Sequence, residues 1–404
     1  MTTPPLVLLD PPADRFWPLA DTRPVAELLA GTRSFLARWT ARQGPPAALW
    51  CDPAVTGAAD RARLRPPCNA WPDPALGYRI AIATWIPPAG FHFGDDRAEL
   101  RDGGAAVAWR LAPEDARSLA GTASAAEARE ALSALDPPAR EAGGRILDSV
   151  WAVMTANPEL VADDAADFSS ADTIRGVDPF VLLGEASMLE VGPGVAIGPF
   201  VVLDAREGAI VLDAGARVEP HSVLRGPLYL GPGSAILGGV VEGSSIGPGC
   251  KIHGDLEHSI VQGYTNKAHE GFVGHSVLGE WVNLGAGTTN SDLKNTYGAV
   301  RLDGPGGEIE TGLLKAGSFV GDHVKTGIGT LLTTGARIGV GSHVFGGGVS
   351  PRWLPHFSWH DGRERTEVRW DAFHRTAETV MSRRGETMSD SERDLLAALH
   401  AAGR

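Results

Sequence analysis

The sequence predicts an α/β layer domain in the first third, then a parallel β-helix with three faces per coil, closed by C-terminal helices. Three observations predict it. From Leu212 the apolar positions recur every six residues, at Leu212, Val218, Leu224, Leu230 and Ile236; the register slips and then recovers as Val320, Thr326, Leu332, Ile338 and Val344. Glycine, often beside proline, fills the positions between, as in "VGPGVAIGPF", "SSIGPGC" and "IGVGSH". Ahead of this zone, short apolar runs alternate with a helical pattern. A six-residue period with a small residue at each corner suits a solenoid in which every sixth side chain points inward, with glycine at corners of unusual φ/ψ. A β-sandwich would show period-two alternation instead.

In chain order, "PLVLLD" reads as a buried strand and "TRPVAELLAGTRSFLARWTARQG" as an amphipathic helix with a glycine near each end. "ALWCD", "YRIAIATWI" and "AAVAWRL" read as further short strands. Strands interspersed with helix give an α/β layer domain over residues 1–130. A helical linker, 131–172, is expected from "ASAAEAREALSAL" and "RILDSVWAVMTANPELVADDAADF". The β-helix is expected over 173–358. The tail, 359–404, reads as two amphipathic helices, the second with Ser389 as N-cap and Glu392 at the capping-box position.

Composition narrows the function. With 404 residues and 43% hydrophobic content the chain can build two cores. It has no apolar run of the ~20 residues a membrane helix needs, and its N-terminus lacks the basic segment and longer apolar stretch of a secretory signal; a cytoplasmic location is expected. Cys51, Cys68 and Cys250 form neither a disulfide framework nor a metal clip. A net charge of −13 argues against sequence-independent nucleic-acid binding, but not against a small phosphate ester. Only five of the 36 basic residues are lysine, namely Lys251, Lys267, Lys294, Lys315 and Lys325, all within 251–325. Lysine retained where arginine is the usual choice suggests positions that need a compact point charge, as phosphate sites do.

A β-helix interior is aliphatic, so chemistry belongs outside, where loops leave the coils. The stretch from His258 to Val300 concentrates His269, His275, Asn283, Asn290, Asp292, Lys267 and Lys294 near glycines. A histidine base, orienting amides and exposed backbone N–H groups are the parts of an acyl-transfer site. Against this, His269 also reads as a solvated loop histidine, and Asn283 as a stabiliser of a solenoid turn. Lys294, Lys325 and Asp292 read equally as surface charges.

The repeat together with "NKAHEGFVGHSVLGEWVNLGAGTTN" resembles the acetyltransferase half of the bifunctional uridylyltransferase/glucosamine-1-phosphate N-acetyltransferase family that makes UDP-N-acetylglucosamine. The motif match covers 253–292, and the repeat match roughly 173–350. The resemblance implies a left-handed β-helix, acetyl-CoA as cosubstrate, an amino-sugar phosphate as acceptor, and a homotrimer with the CoA site between adjacent prisms. It implies His269 as general base, Asn283 holding the reacting groups, the Ala286 backbone facing the thioester, and Lys267 near the sugar phosphate. Asn290 and Asp292 would belong to the sugar-pocket wall. The chain departs from the family in three ways: one residue is missing between Lys267 and His269, Phe272 stands for the usual tyrosine, and "TTNSDLKN" replaces "TITCNYDG". His275 aligns with a variable position and reads as decoration. His253 and His258 resemble a histidine pair of γ-class carbonic anhydrases, which implies a zinc site as the rival metalloenzyme reading; a non-catalytic sugar-nucleotide-binding scaffold is the other rival.

"RFWPLADTRPVAELLAGT" resembles sugar nucleotidyltransferases, implying a nucleotidyltransferase-like (Rossmann-like) N-terminal domain that takes UTP or dTTP with Mg²⁺. The family's glycine-rich loop is replaced by "DPPADR", whose prolines remove N–H donors. The signature lysine is Val25, and the first 250 residues contain no lysine. Arg15 and Arg23 remain as phosphate candidates, and Asp95 or Asp96 as Mg²⁺ ligands if this half is active.

Overall fold

The computed structural model describes residues 3–58, 63–168, 180–304 and 306–403. The boundary expected at 172/173 lies outside the described residues. The chain divides into two compact units: Met1–Phe16, Ala20–Leu28 and Ser34–Val150 form the first, and Trp17–Leu19, Leu29–Arg33 and Trp151–Arg404 the second.

The first unit holds a mixed six-stranded sheet, in the order Ala48–Trp50, Leu6–Leu9, Tyr78–Ile82, Ala105–Leu111, Ala98–Asp102, Ala139–Glu141. Leu6–Leu9 runs parallel to both neighbours and is wholly buried, as an uninterrupted apolar run predicts for a central strand. Helices α1 (Phe35–Gln43), α2 (Pro113–Ser118) and α3 (Ala125–Ser133) bury Leu36, Trp39, Ala116 and Leu132 in the same core.

Two expectations change here. The helix predicted across 22–44 forms only as α1. Before it the chain makes a 3-10 turn, Val25–Glu27, and a pair of two-residue strands, Leu29–Ala30 and Arg33–Ser34. Pro24 cannot donate to a helix, Gly31 takes φ 72°, and Ser34 caps α1 by accepting from the Ala37 N–H at 3.1 Å. The connector expected as wholly helical also supplies the edge strand Ala139–Glu141, because Pro137 and Pro138 prevent α3 from continuing.

Helix α4 (Val150–Ala165) then carries Asn157 and Asp164 into the second unit. Asn157 Oδ1 accepts from the Gly31 N–H and the Ser245 hydroxyl, each at 2.9 Å, and Asp164 Oδ2 accepts from the Thr32 N–H at 2.9 Å. A Cβ at Gly31 would lie 2.6 Å from the Asp164 carboxylate.

The second unit is a parallel β-solenoid with three faces. The second face alone has nine strands, from Leu189–Val191 to Trp353–Leu354. Its register stacks Leu212 on Leu230, then Ile246, Val261, Leu278, Val320, Ile338 and Leu354. All are buried in one core, where each such side chain contributes roughly 1.5–3 kcal/mol. This column explains the slip in the sequence. Leu212 to Leu230 and Val320 to Ile338 are coils of three sixes, whereas between Leu230, Ile246 and Val261 corners are trimmed while the inward column persists. From Leu278 to Val320 one coil is much longer. It extrudes an arm, 291–316, whose strands Arg301–Leu302 and Ile309–Glu310 pair antiparallel.

The tail forms α5 (Trp370–Ser382) and α6 (Asp390–Ala402), with the predicted Ser389/Glu392 capping box. Phe373 of α5 packs edge-on against Phe357 and His323 of the solenoid. None of the helices among the described residues is long and apolar enough to cross a membrane.

Candidate functional site

The register decides which predicted residues face in and which face out. On the third face the inward column reads Val218, Ile236, Ile252, Lys267. Lys267 therefore occupies an aliphatic position and is 2% exposed. Its ammonium donates to the carbonyls of His253 and His269. Burial pushes its pKa down to about 8, against the opposing pull of Asp255 and Glu270. The expected place beside a sugar phosphate is not where this ammonium sits; its nearest partners are backbone oxygens. Asn290 is likewise interior, below Val273 on the first face. Its Oδ1 accepts from the Gly274 N–H at 2.8 Å, and its Nδ2 donates to the Gly274 carbonyl at 2.9 Å and the Ser276 hydroxyl at 3.2 Å. It satisfies backbone groups where the long coil interrupts the ladder, and its side chain is not presented to the pocket wall.

His269, Glu270 and Ala286 share the corner between the third and first faces on successive coils. The Gly287 N–H donates to the Glu270 carbonyl at 2.9 Å, and the Gly329 N–H to the Ala286 carbonyl at 2.8 Å. His269 is exposed. Among the described residues its imidazole has no hydrogen-bond partner, and the Ala286 N–H has no acceptor. One coil earlier, His253 Nδ1 lies 3.4 Å from the Glu270 carboxylate. Asn283 lies on the third face three residues before Ala286, between Asn266 and Lys325, and its Oδ1 accepts from Asn266 Nδ2 at 3.2 Å.

The next corner, between the first and second faces, holds a different set. His275 Nδ1 and Asp292 Oδ2 are 2.7 Å apart, and the His258 ring packs against that of His275 at a tilt of 33°, centroids 5.0 Å apart. Both histidines adopt the left-handed corner conformation, φ 43° and 47°. Hydrogen bonding to His275 holds the Asp292 carboxyl below the usual carboxylate range, and burial with the His275 charge pushes His258 down. His275, expected as decoration, thus has a carboxylate partner seventeen residues on, one coil away; only the coil length could have revealed that pairing. Lys294 stays within the arm, its Nζ on the Ala299 carbonyl at 3.0 Å.

His253 and His258 sit at opposite ends of the strand Asp255–Glu257, on separate corners. No group of three or more His, Cys, Asp or Glu side chains gathers as a metal site among the described residues.

In the first unit, Arg15 pairs with Asp148 at 3.0 Å. Arg23 is buried and lines a cavity of about 100 Å³ with Asp10, Asp52 and Arg129. Asp10 accepts from the N–H groups of Val25 and Ala26, each at 2.8 Å, and burial pushes its pKa up to about 7. Asp95 and Asp96 are exposed. The structure thus leaves the two arginines in different surroundings, one surface-paired and one lining the cavity.

No protein-family model matches the chain. Among curated proteins it is 33% identical over 113 residues to a bifunctional sugar-1-phosphate nucleotidylyltransferase/acetyltransferase of Sulfurisphaera tokodaii, covering 28% of this chain and 27% of that protein. It is 31% identical over 118 residues to the bifunctional protein GlmU of Methanococcus vannielii, covering 29% and 26%. To the bifunctional protein GlmU of Bordetella parapertussis it is 30% identical over 207 residues, covering 48% and 44%. The matches thus span less than half the length of these relatives. With its motif, its β-solenoid and these relatives agreeing, the chain resembles the bifunctional sugar-1-phosphate nucleotidyltransferase/acetyltransferases.

Proposed function

We propose that the chain is an acyltransferase moving an acetyl group from acetyl-CoA to the amine of an amino-sugar phosphate of the glucosamine-1-phosphate type. The observation that carries this reading is the corner where an exposed imidazole, His269, and a backbone N–H with no acceptor among the described residues, Ala286, lie on successive coils. The amine nitrogen attacks the thioester carbon, and the His269 imidazole takes the amine proton. The Ala286 N–H donates to the oxyanion of the tetrahedral intermediate, an interaction whose loss costs about 3–4 kcal/mol in comparable sites. Collapse breaks the C–S bond, and the imidazolium returns its proton to the departing thiolate. Asn283 helps hold the reacting groups. Asp292, through His275, belongs to the sugar-pocket wall, whereas Lys267 supports the His269 corner from inside. A homotrimer, as the resemblance implies, would close the CoA site between neighbouring prisms.

A second activity, nucleotidyl transfer from UTP or dTTP with Mg²⁺, is favoured by the names of the relatives. In the first unit it rests on Arg23 and Arg129 at the small cavity, with Arg15 as the outer phosphate candidate.

The test is CoA release from acetyl-CoA with a panel of amino-sugar phosphates, comparing the full chain with His269→Ala. Turnover on at least one sugar, lost in the variant, is expected. Unchanged turnover in His269→Ala would remove the proposed base, and no turnover on any acceptor would overturn the acyltransferase reading.

A further inference from the structure

The outward row of the third face runs Arg217, Ala235, Lys251, Asn266, Asn283, Lys325, His343, Trp359. Two of the chain's five lysines fall in this row, separated by two asparagines. The chain end of α5 comes down beside them. Arg384 Nη1 donates to the Gly249 carbonyl at 2.7 Å, and Nη2 to Asn266 Oδ1 at 3.4 Å. The Tyr264 hydroxyl donates to Glu386 at 3.0 Å, while its ring stacks on Trp281 at 4.3 Å. These contacts fix the helix end against the face and enclose a cavity of about 380 Å³, within the range of small-molecule sites.

Lys251, Lys325, Arg383 and Arg384 line this cavity, and no carboxylate does. That is unusual for a chain of net charge −13. Among the described residues, the side-chain cations of Lys251, Lys325 and Arg383 have neither a hydrogen-bond acceptor nor a carboxylate partner. Four like charges line one concavity and repel one another; among the described residues no carboxylate lines it with them, and Glu386 beside it is engaged by the Tyr264 hydroxyl. Burial alone is enough to push Lys325 down to about 8, and burial with the Lys325 charge pushes His343 down to about 4. A dianion in the cavity would offset that repulsion: ammonium groups act as point charges, and a guanidinium such as that of Arg383 donates in pairs to phosphate oxygens.

We propose that the cavity formed by Lys251, Asn266, Asn283, Lys325, Arg383 and Arg384 is a phosphate-binding site for the phosphate group of a small ligand. The phosphate is that of a nucleotide-type cosubstrate or that of a sugar phosphate; the shared chemistry is the dianion. The site itself does not depend on acyl transfer. Only the assignment of its ligand to acetyl-CoA or to the amino-sugar phosphate rests on that reading.

The test uses isothermal titration calorimetry of the full chain with inorganic pyrophosphate, CoA, dephospho-CoA and glucosamine-1-phosphate. The variants are Lys251→Gln, the double variant Lys251→Gln/Lys325→Gln, and His269→Ala. Pyrophosphate binding weakened about tenfold or more in the double variant, with His269→Ala unchanged, is the expected result. CoA binding more tightly than dephospho-CoA, with the difference abolished in the double variant, would support the site and assign it to the CoA 3′-phosphate. Loss of glucosamine-1-phosphate binding instead would support the site and assign it to the sugar. If all four ligands bind the double variant as they bind the unaltered chain, or none binds the unaltered chain, the proposal is overturned. Lys251 is exposed, so Lys251→Gln keeps the fold intact and still lowers pyrophosphate affinity severalfold, which guards against loss by unfolding. Calorimetry that fails while His269-dependent turnover persists would separate this proposal from the acyltransferase reading.

Discussion

Two neighbouring corners of the solenoid, both carrying histidine, differ in how they are held. At the corner between the third and first faces, His269 is exposed and its imidazole has no partner among the described residues; its backbone is pinned from inside by Lys267. At the corner between the first and second faces, His275 packs against His258 and is bonded to Asp292. The first is a rigid backbone presenting a free ring. The second is a ring committed to the protein's own carboxylate. A base must be able to meet the proton it removes, which favours the uncommitted ring; a carboxylate-oriented ring is the arrangement that could overturn this.

The largest effect expected is on His269→Ala, with acyl-transfer turnover falling about 10²- to 10⁴-fold while His275→Ala stays within about tenfold. A reversed order in steady-state kinetics would move the base to the second corner. Removing the amide in Asn290→Ala leaves the Gly274 N–H without its buried acceptor and the Gly274 carbonyl with the Ser276 hydroxyl alone, at a cost of roughly 1–3 kcal/mol. Urea denaturation should register it; an unchanged midpoint would mean that the first-face edge does not depend on this side chain.

Lys267 gives the comparison a pH signature. Its folded pKa, about 8, lies below the ordinary 10.5, so the unfolded chain binds more protons between those values. Its contribution to stability is therefore least below pH 8 and rises toward pH 10.5, by up to about 3 kcal/mol. Lys267→Met should abolish that slope, so the stability difference between the two proteins changes with pH between about 8 and 10.5; a difference independent of pH would contradict the buried, protonated lysine. Tyr229, pushed up by burial, acts in the opposite sense at the alkaline end. The smallest effect is on Asp292→Asn, costing about 1.5 kcal/mol of stability and less than tenfold in turnover. A turnover loss as deep as that of His269→Ala would show that the second corner takes part in the chemistry.

Much of this was legible in the residues. The sixfold spacing of Leu212 through Ile236 and of Val320 through Val344 predicts the solenoid because every inward position is apolar or small. "PLVLLD" and "AAVAWRL" predict buried strands by their composition, and Ser389 with Glu392 predicts a capped helix. The helix read across 22–44 was not legible in full, since Pro24 and Gly31 break a pattern whose apolar spacing continues through them. The site was legible only in part. His269, Asn283 and Ala286 come together at one edge of a face, but Lys267 and Asn290 turn inward and Asp292 joins another corner.

The sequence by itself determined the repeat, the corners and the presence of unusual polar residues among them, because periodicity is a local property of the chain. Only the tertiary structure decided which side of each coil those residues face. Coil lengths vary where corners are trimmed or an arm is extruded, and a change of one residue exchanges inside for outside. That choice sets Lys267 against backbone carbonyls and Lys251 and Lys325 on an outer face, where the two arginines that follow α5, Arg383 and Arg384, meet them.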